Sequence, residues 1–212
     1  MKKHLTILVV TFTFIMVACN SGKDDKSAAK STDETNVGNN KSNESNSADD
    51  NNAKWEMRKS KGDTLAMPYK DLQAYLPEIS GYTKEGGPKG SQMNMPGMGS
   101  WSEAEQEYTA GDKRLSVKMV DYNAAWQAFQ GITAIYSMGF STEDDTKKQA
   151  QADMGIKDVY AYLTTYKTEK KSELVLVVGQ RFYITLNSDG ENGDSFLKDI
   201  AKSMKLEKLA EL

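Results

Sequence analysis

From residue 101 onward, apolar side chains recur in two rhythms, one of period two and one close to 3.6. Residues 101–108 and 114–122 alternate, and Gly111-Asp112 between them suits a two-residue hairpin turn. Closing the hairpin there sets Tyr108 opposite Leu115, Gln106 opposite Val117 and Ala104 opposite Met119 on one side. Glu107, Glu105 and Glu103 then fall on the other side, opposite Ser116, Lys118 and Val120. Residues 159–166, 173–178 and 182–187 read as three further strands, the last two joined through Gly179-Gln180.

The helical rhythm is found between these strands. Residues 68–76 predict a short helix with Pro68 in its first turn and Pro77 closing it. Asn123 suits the N-cap of a helix running to Met138, with Ala125, Phe129, Ile132 and Tyr136 at helical spacing and Gly139 as its stop. Asp194 suits the cap of a last helix carrying Phe196, Leu197, Ile200 and Met204 on one stripe. Adjacent strands with short turns imply an antiparallel sheet with helices packed on it, so the fold class is α+β. Residues 54–212 have the length of one domain and show no internal repeat.

The first nineteen residues follow neither rhythm. Lys2, Lys3 and His4 precede an apolar run from Leu5 to Val17 that ends at Ala18-Cys19. A positive start, a short apolar core and a small residue before the cut define a secretory signal over residues 1–18. The run is shorter than the about 20 apolar residues that span a bilayer. Met16-Val17-Ala18-Cys19 resembles the lipobox of bacterial lipoproteins, with Met16 where Leu is usual. The resemblance implies acylation of Cys19, the one cysteine in the chain, and hence a membrane partner through a lipid anchor. Residues 19–53 then read as the lipidated cysteine and a disordered linker, rich in Asn, Ser, Asp and Lys, with no aromatic residue. Lys23-Asp24-Asp25 resembles the export signal of outer-membrane lipoproteins of the Bacteroidota type, or is a charge cluster in a charged linker.

A second resemblance rests on LPEISGY at residues 76–82, LVLVVGQRFYITL at 174–186 and LKDIAKSMKLEKL at 197–209. These segments are similar to those of uncharacterised bacterial envelope lipoproteins. Their element order resembles the PsbP-like fold, an antiparallel sheet flanked by helices. The resemblance implies an architecture and carries no catalytic residues.

Charge and composition then narrow the chemistry. Loss of residues 1–18 removes two of the 27 basic residues and leaves 25 against 30 acidic ones, a net charge of −5. That balance, like the exported address, argues against nucleic acid as a partner. The single histidine, His4, leaves with the signal, which removes Ser-His-Asp and Cys-His catalysis and histidine-bearing zinc sites. Glu103, Glu105 and Glu107 form a row on one strand face; this is a solvated face with cross-strand ion pairs, whereas a glycosidase needs two carboxylates flanking a cleft.

Two groups of residues remain as candidate sites. Met93, Met95 and Met98, with Trp101 beside them, sit in a Gly/Pro-rich stretch, and residues 81–100 read as a mobile loop. Three thioethers so close together resemble copper(I)-binding loops of envelope proteins; they also suit an adaptable contact surface, or plain packing. Tyr160, Tyr162 and Tyr166 share a strand face that forms either an aromatic platform or, as preferred here, a face covered by a helix. The sequence therefore predicts an envelope lipoprotein, not an enzyme, that binds or scaffolds an envelope protein partner through residues 93–101. Copper(I) binding through Met93, Met95 and Met98 is the alternative, and no other cofactor is expected.

Overall fold

The computed structural model describes residues 47–96, 99–191 and 195–212. The expected signal segment, Cys19, the greater part of the expected linker, Met98 and Asp194 lie outside the described residues.

Among the described residues, nine strands build one antiparallel sheet: β1 (Thr83–Lys84), β2 (Lys89–Met95), β3 (Gly99–Ala110), β4 (Lys113–Asp121), β5 (Thr142–Glu143), β6 (Lys147–Ala152), β7 (Val159–Tyr166), β8 (Lys171–Val178) and β9 (Phe182–Asp189). Their order is β1-β3-β4-β9-β8-β7-β6-β5, with β2 pairing β3 along the same edge as β1. The β3–β4 hairpin has the register that the alternation predicts, with Tyr108 opposite Leu115, Gln106 opposite Val117 and Ala104 opposite Met119. Among the described residues, five helices, α1 (Ser47–Ser60), α2 (Tyr69–Gln73), α3 (Trp126–Thr133), α4 (Phe196–Lys202) and α5 (Leu206–Ala210), complete an α+β domain. Among the described residues no helix is long and apolar enough to cross a membrane.

One face of the sheet carries the main core. Val117 and Met119 of β4, Leu174 and Leu176 of β8, and Ile184 and Leu186 of β9 are fully buried against Leu72 of α2, Leu197 of α4 and Leu206 and Leu209 of α5. Each such side chain contributes about 1.5–3 kcal/mol through removal from water. Tyr108 reaches through this core to donate to the Pro77 carbonyl at 2.7 Å, which fixes the chain after α2. Burial pushes its hydroxyl up to about 12.

The other face is crossed by α3. Asn123–Ala125 forms a 3₁₀ turn before it, Ala134–Met138 forms another after it, and Gly139 ends the run in the left-handed conformation at φ +63°. Asn123 does not cap this helix. Its amide instead accepts from Arg58 Nε at 2.7 Å and donates to Asp63 Oδ1 at 2.8 Å and to the Leu65 carbonyl at 3.0 Å. These partners aim the buried amide away from the helix N-terminus, and its side chain forms no cap bond there.

The domain also begins earlier than composition indicates. Helix α1 starts at Ser47, seven residues inside the stretch read as linker. Few apolar residues occur before Trp55, so hydropathy gives no sign of it; the helix is held at its far end. Lys54 pairs with Asp158 at 2.8 Å, Trp55 packs beside Trp126 and Phe129, and Arg58 is buried.

Below α1 lies a buried polar cluster. Arg181 Nε and Nη2 donate to the two oxygens of Asp121 at 3.0 and 2.8 Å, and Nη1 donates to Asp63 at 2.9 Å. Asp121 also accepts the backbone N–H groups of Met67 and Asn123, at 2.7 and 2.8 Å. Arg58 donates to the Gly179 and Gln180 carbonyls. Burial, then the nearby Arg181 charge, pulls Arg58 down to about 10, so it stays a cation at neutral pH.

Two stability predictions arise from this architecture. Asp121→Ala strands the buried Arg181 and should cost about 3–5 kcal/mol in urea unfolding. In an Arg181→Met background the same substitution should cost much less, and simple additivity of the two would contradict the coupling. Gly99 sits at φ +92°, and a Cβ there would lie 1.6 Å from the Ala124 carbonyl oxygen. Because that obstacle is backbone, Gly99→Ala should lower stability by about 3 kcal/mol or more, read as a drop in thermal midpoint.

Candidate functional site

The face crossed by α3 is divided into a covered part and an open part. Under the helix, aromatic side chains form a second small core. Trp126 stacks on Phe129 at 5.5 Å, Phe129 meets Tyr122 at 6.2 Å, and Tyr136 packs on Tyr183 and Tyr162 at 6.2 and 5.0 Å. Phe140 stacks on Tyr162 at 5.2 Å. Burial, reinforced by the hydrogen bond with Tyr136, pushes the Tyr183 hydroxyl well above its usual range. This part is packing.

Beyond the helix the sheet is bare. Glu107, Ser116, Asn187 and Glu173 follow one another across β3, β4, β9 and β8 in register. The next row holds Arg114, Asp189 and Lys171. Together with Glu85, Glu169 and Tyr166 these rows line an open trough of about 550 Å³. Five carboxylates face two cations in it, and both cations are already engaged: Arg114 with Glu85 at 3.7 Å and Lys171 with Glu169 at 2.6 Å. Glu107 meets Lys89 at 3.5 Å. Half-buried Glu173, on the floor, forms no ion pair among the described residues. The trough is therefore a net negative, hydrogen-bonding surface with one tyrosine at its side, suited to a ligand that brings positive charge.

The candidates read from sequence fall in several places. Glu103 and Glu107 do form the cross-strand ion pairs of a solvated face, Glu103 with Lys118 at 2.9 Å. The hydrogen bond from Lys118 holds the Glu103 carboxyl below its usual range against the opposing effect of burial. The three tyrosines share a face as predicted, yet meet three environments. Tyr162 is fully buried under Tyr136 and Phe140, Tyr160 is exposed, and Tyr166 lines the trough.

The loop expected over residues 81–100 is largely strand. Thr83–Lys84 and Lys89–Met95 both pair with β3, and Met93 lies opposite Trp101. Every residue of β2 is exposed, so its sequence shows no apolar alternation; its ladder to β3 holds it in place. Met93 and Met95 are 49% and 37% exposed and, two residues apart, project to the same face beside half-buried Trp101. Met98 lies outside the described residues. Among the described residues no three His, Cys, Asp or Glu side chains converge as metal ligands.

The trough is what sequence reading missed. Its signal was there in the polar members of three strands, Arg114 and Ser116, Lys171 and Glu173, and Asn187 and Asp189, which alternate with buried residues. Taken singly, each reads as solvated strand. Only the sheet order brings them together. No family model matches the chain, and no curated protein is significantly similar to it.

Proposed function

We propose that the chain is a lipid-anchored lipoprotein of the bacterial cell envelope whose domain is a binding or scaffolding module and not an enzyme. The observation that carries this reading is the open, net-negative trough on a sheet face that a helix covers at one end. The N-terminal pattern ending at Cys19 supports the anchor, and Lys23-Asp24-Asp25 supports the outer membrane as its address. The antiparallel sheet with helices on both faces supports a PsbP-like architecture. A mature sequence without histidine leaves the carboxylates of the trough as charge, suited to holding a cationic segment of a partner.

The contact surface centres on Glu173, Asn187 and Glu107 and extends along the same face to Met93, Met95 and Trp101. A photo-crosslinker at Asn187 should capture a partner in native membranes, whereas one at Lys202, on the opposite side of the sheet, should not. Glu173→Lys with Glu107→Lys should abolish the adduct. Equal capture from both positions, or capture indifferent to charge reversal, would refute the trough as the binding surface.

Copper(I) binding is the second reading, favoured by two exposed thioethers on one strand face. Met93→Leu with Met95→Leu keeps the apolar bulk and removes the sulfur. A Cu(I) titration of the full chain should then lose its tight phase; no tight phase in the unaltered protein rejects copper.

A further inference from the structure

The outward side of the crossing helix is the second unexplained surface. Residues 122–142 contain no Asp, Glu, Lys or Arg, in a chain that is 27% charged. Within that stretch Ile132, Ile135 and Met138 are 40%, 51% and 79% exposed. They are spaced by three, and Ile135 and Met138 belong to the 3₁₀ segment, where positions three apart eclipse. The result is a short apolar ridge, flanked by the uncharged and exposed Gln127, Gln130 and Gly131, on a helix whose other side is packed on aromatics.

The chain itself indicates what covers this ridge. Helix α1, through which the polypeptide arrives from Cys19, packs beside α3: Trp55 joins the cluster of Trp126, Phe129 and Tyr136. Trp55 thus ties the helix through which the chain enters to the aromatic cluster under the ridge-bearing helix. Twenty-seven residues separate Cys19 from Ser47. On the lipoprotein reading, a flexible tether of that length would reach roughly 30 Å, which would keep the ridge within range of the bilayer at an effective concentration on the order of millimolar. Three apolar side chains bind a membrane weakly from bulk solution, but a tether makes even weak contact persistent.

We propose that the ridge Ile132–Ile135–Met138 rests in the interfacial layer of the bilayer that holds the Cys19 lipid, fixing the orientation of the domain; this rests on the lipoprotein reading. The contact is apolar and uncharged, so it needs no anionic lipid and is insensitive to salt.

The test uses the full acylated chain in phosphatidylcholine vesicles with brominated acyl chains. An environment-sensitive fluorophore is placed at Met138→Cys, or at Lys202→Cys on the far side of the sheet as control. The Met138 label should be quenched by the bromolipid roughly two-fold or more, unchanged in high salt, while the Lys202 label is not. Ile132→Ser with Ile135→Ser should remove the quenching while the chain stays on the vesicles. A Met138 label quenched no more than the control overturns the proposal. So does one shielded from aqueous iodide without bromolipid quenching, which places protein on the ridge instead. Intact mass separates the two levels of failure. A diacylglyceryl-bearing chain with an unquenched label sinks the ridge alone, and an acyl-free chain sinks the lipoprotein reading with it.

Discussion

The ion pair of Arg181 and Asp121 is the constraint on which the course of the chain depends. Both side chains are almost completely buried, which is costly for charge unless every polar atom finds a partner. Here the partners are found. The Asp121 carboxylate accepts four hydrogen bonds, two from the guanidinium and two from the Met67 and Asn123 backbones. Arg181 spends its remaining arm on Asp63, and Asn123 links the pair to Arg58. Two cations and two carboxylates make the cluster neutral. Its planar, forked donors explain why arginine stands at both positions in a chain whose other basic residues are nearly all lysine. Because three of these partners belong to residues 58–67, the cluster fixes the segment between α1 and α2 to the end of the sheet. It thereby fixes where the polypeptide enters the domain.

How much of this was legible depends on whether an element buries apolar side chains. The β3–β4 hairpin was readable to the residue, because Leu115, Val117 and Met119 alternate with polar neighbours and Gly111 marks the turn. The β8–β9 pair and Gly139 were readable for similar reasons. β2 was not, since none of its residues is buried, and the short β5 and the partly exposed β6 offered equally little. Asn123 shows another limit. Its type suits an N-cap, but the deciding partners are 58 to 65 positions away in sequence. Local propensity cannot weigh a long-range network. The same holds for the trough, where single polar residues on different strands acquire meaning only through the order β3-β4-β9-β8-β7.

The two faces of the sheet serve opposite ends. The face under α2, α4 and α5 is filled by aliphatic side chains and is given over to stability. The face under α3 is filled only at one end, by aromatics whose rings fill the space between helix and sheet. A single crossing helix is too narrow to cover a sheet whose strands lie about 4.8 Å apart, so a polar remainder is unavoidable unless another element closes it. In this chain none of the described elements does. The uncovered strands are charged and polar where solvent or a partner must meet them, which is how a sheet face avoids becoming an aggregation surface.

That division also limits what can bind. Helix α3 stands about 10 Å proud of the sheet, so with its ridge against a bilayer the trough is recessed beside it rather than pressed flat on the lipid. Entry is then from the side. A slender, extended, positively charged segment fits such a recess, whereas a second globular domain would have to displace the helix from the membrane. The acidic lining adds a further selection: it repels an anionic lipid surface and attracts a basic chain across the same gap. If the ridge does hold the domain at a membrane, the same geometry narrows a partner of the trough to a flexible basic segment.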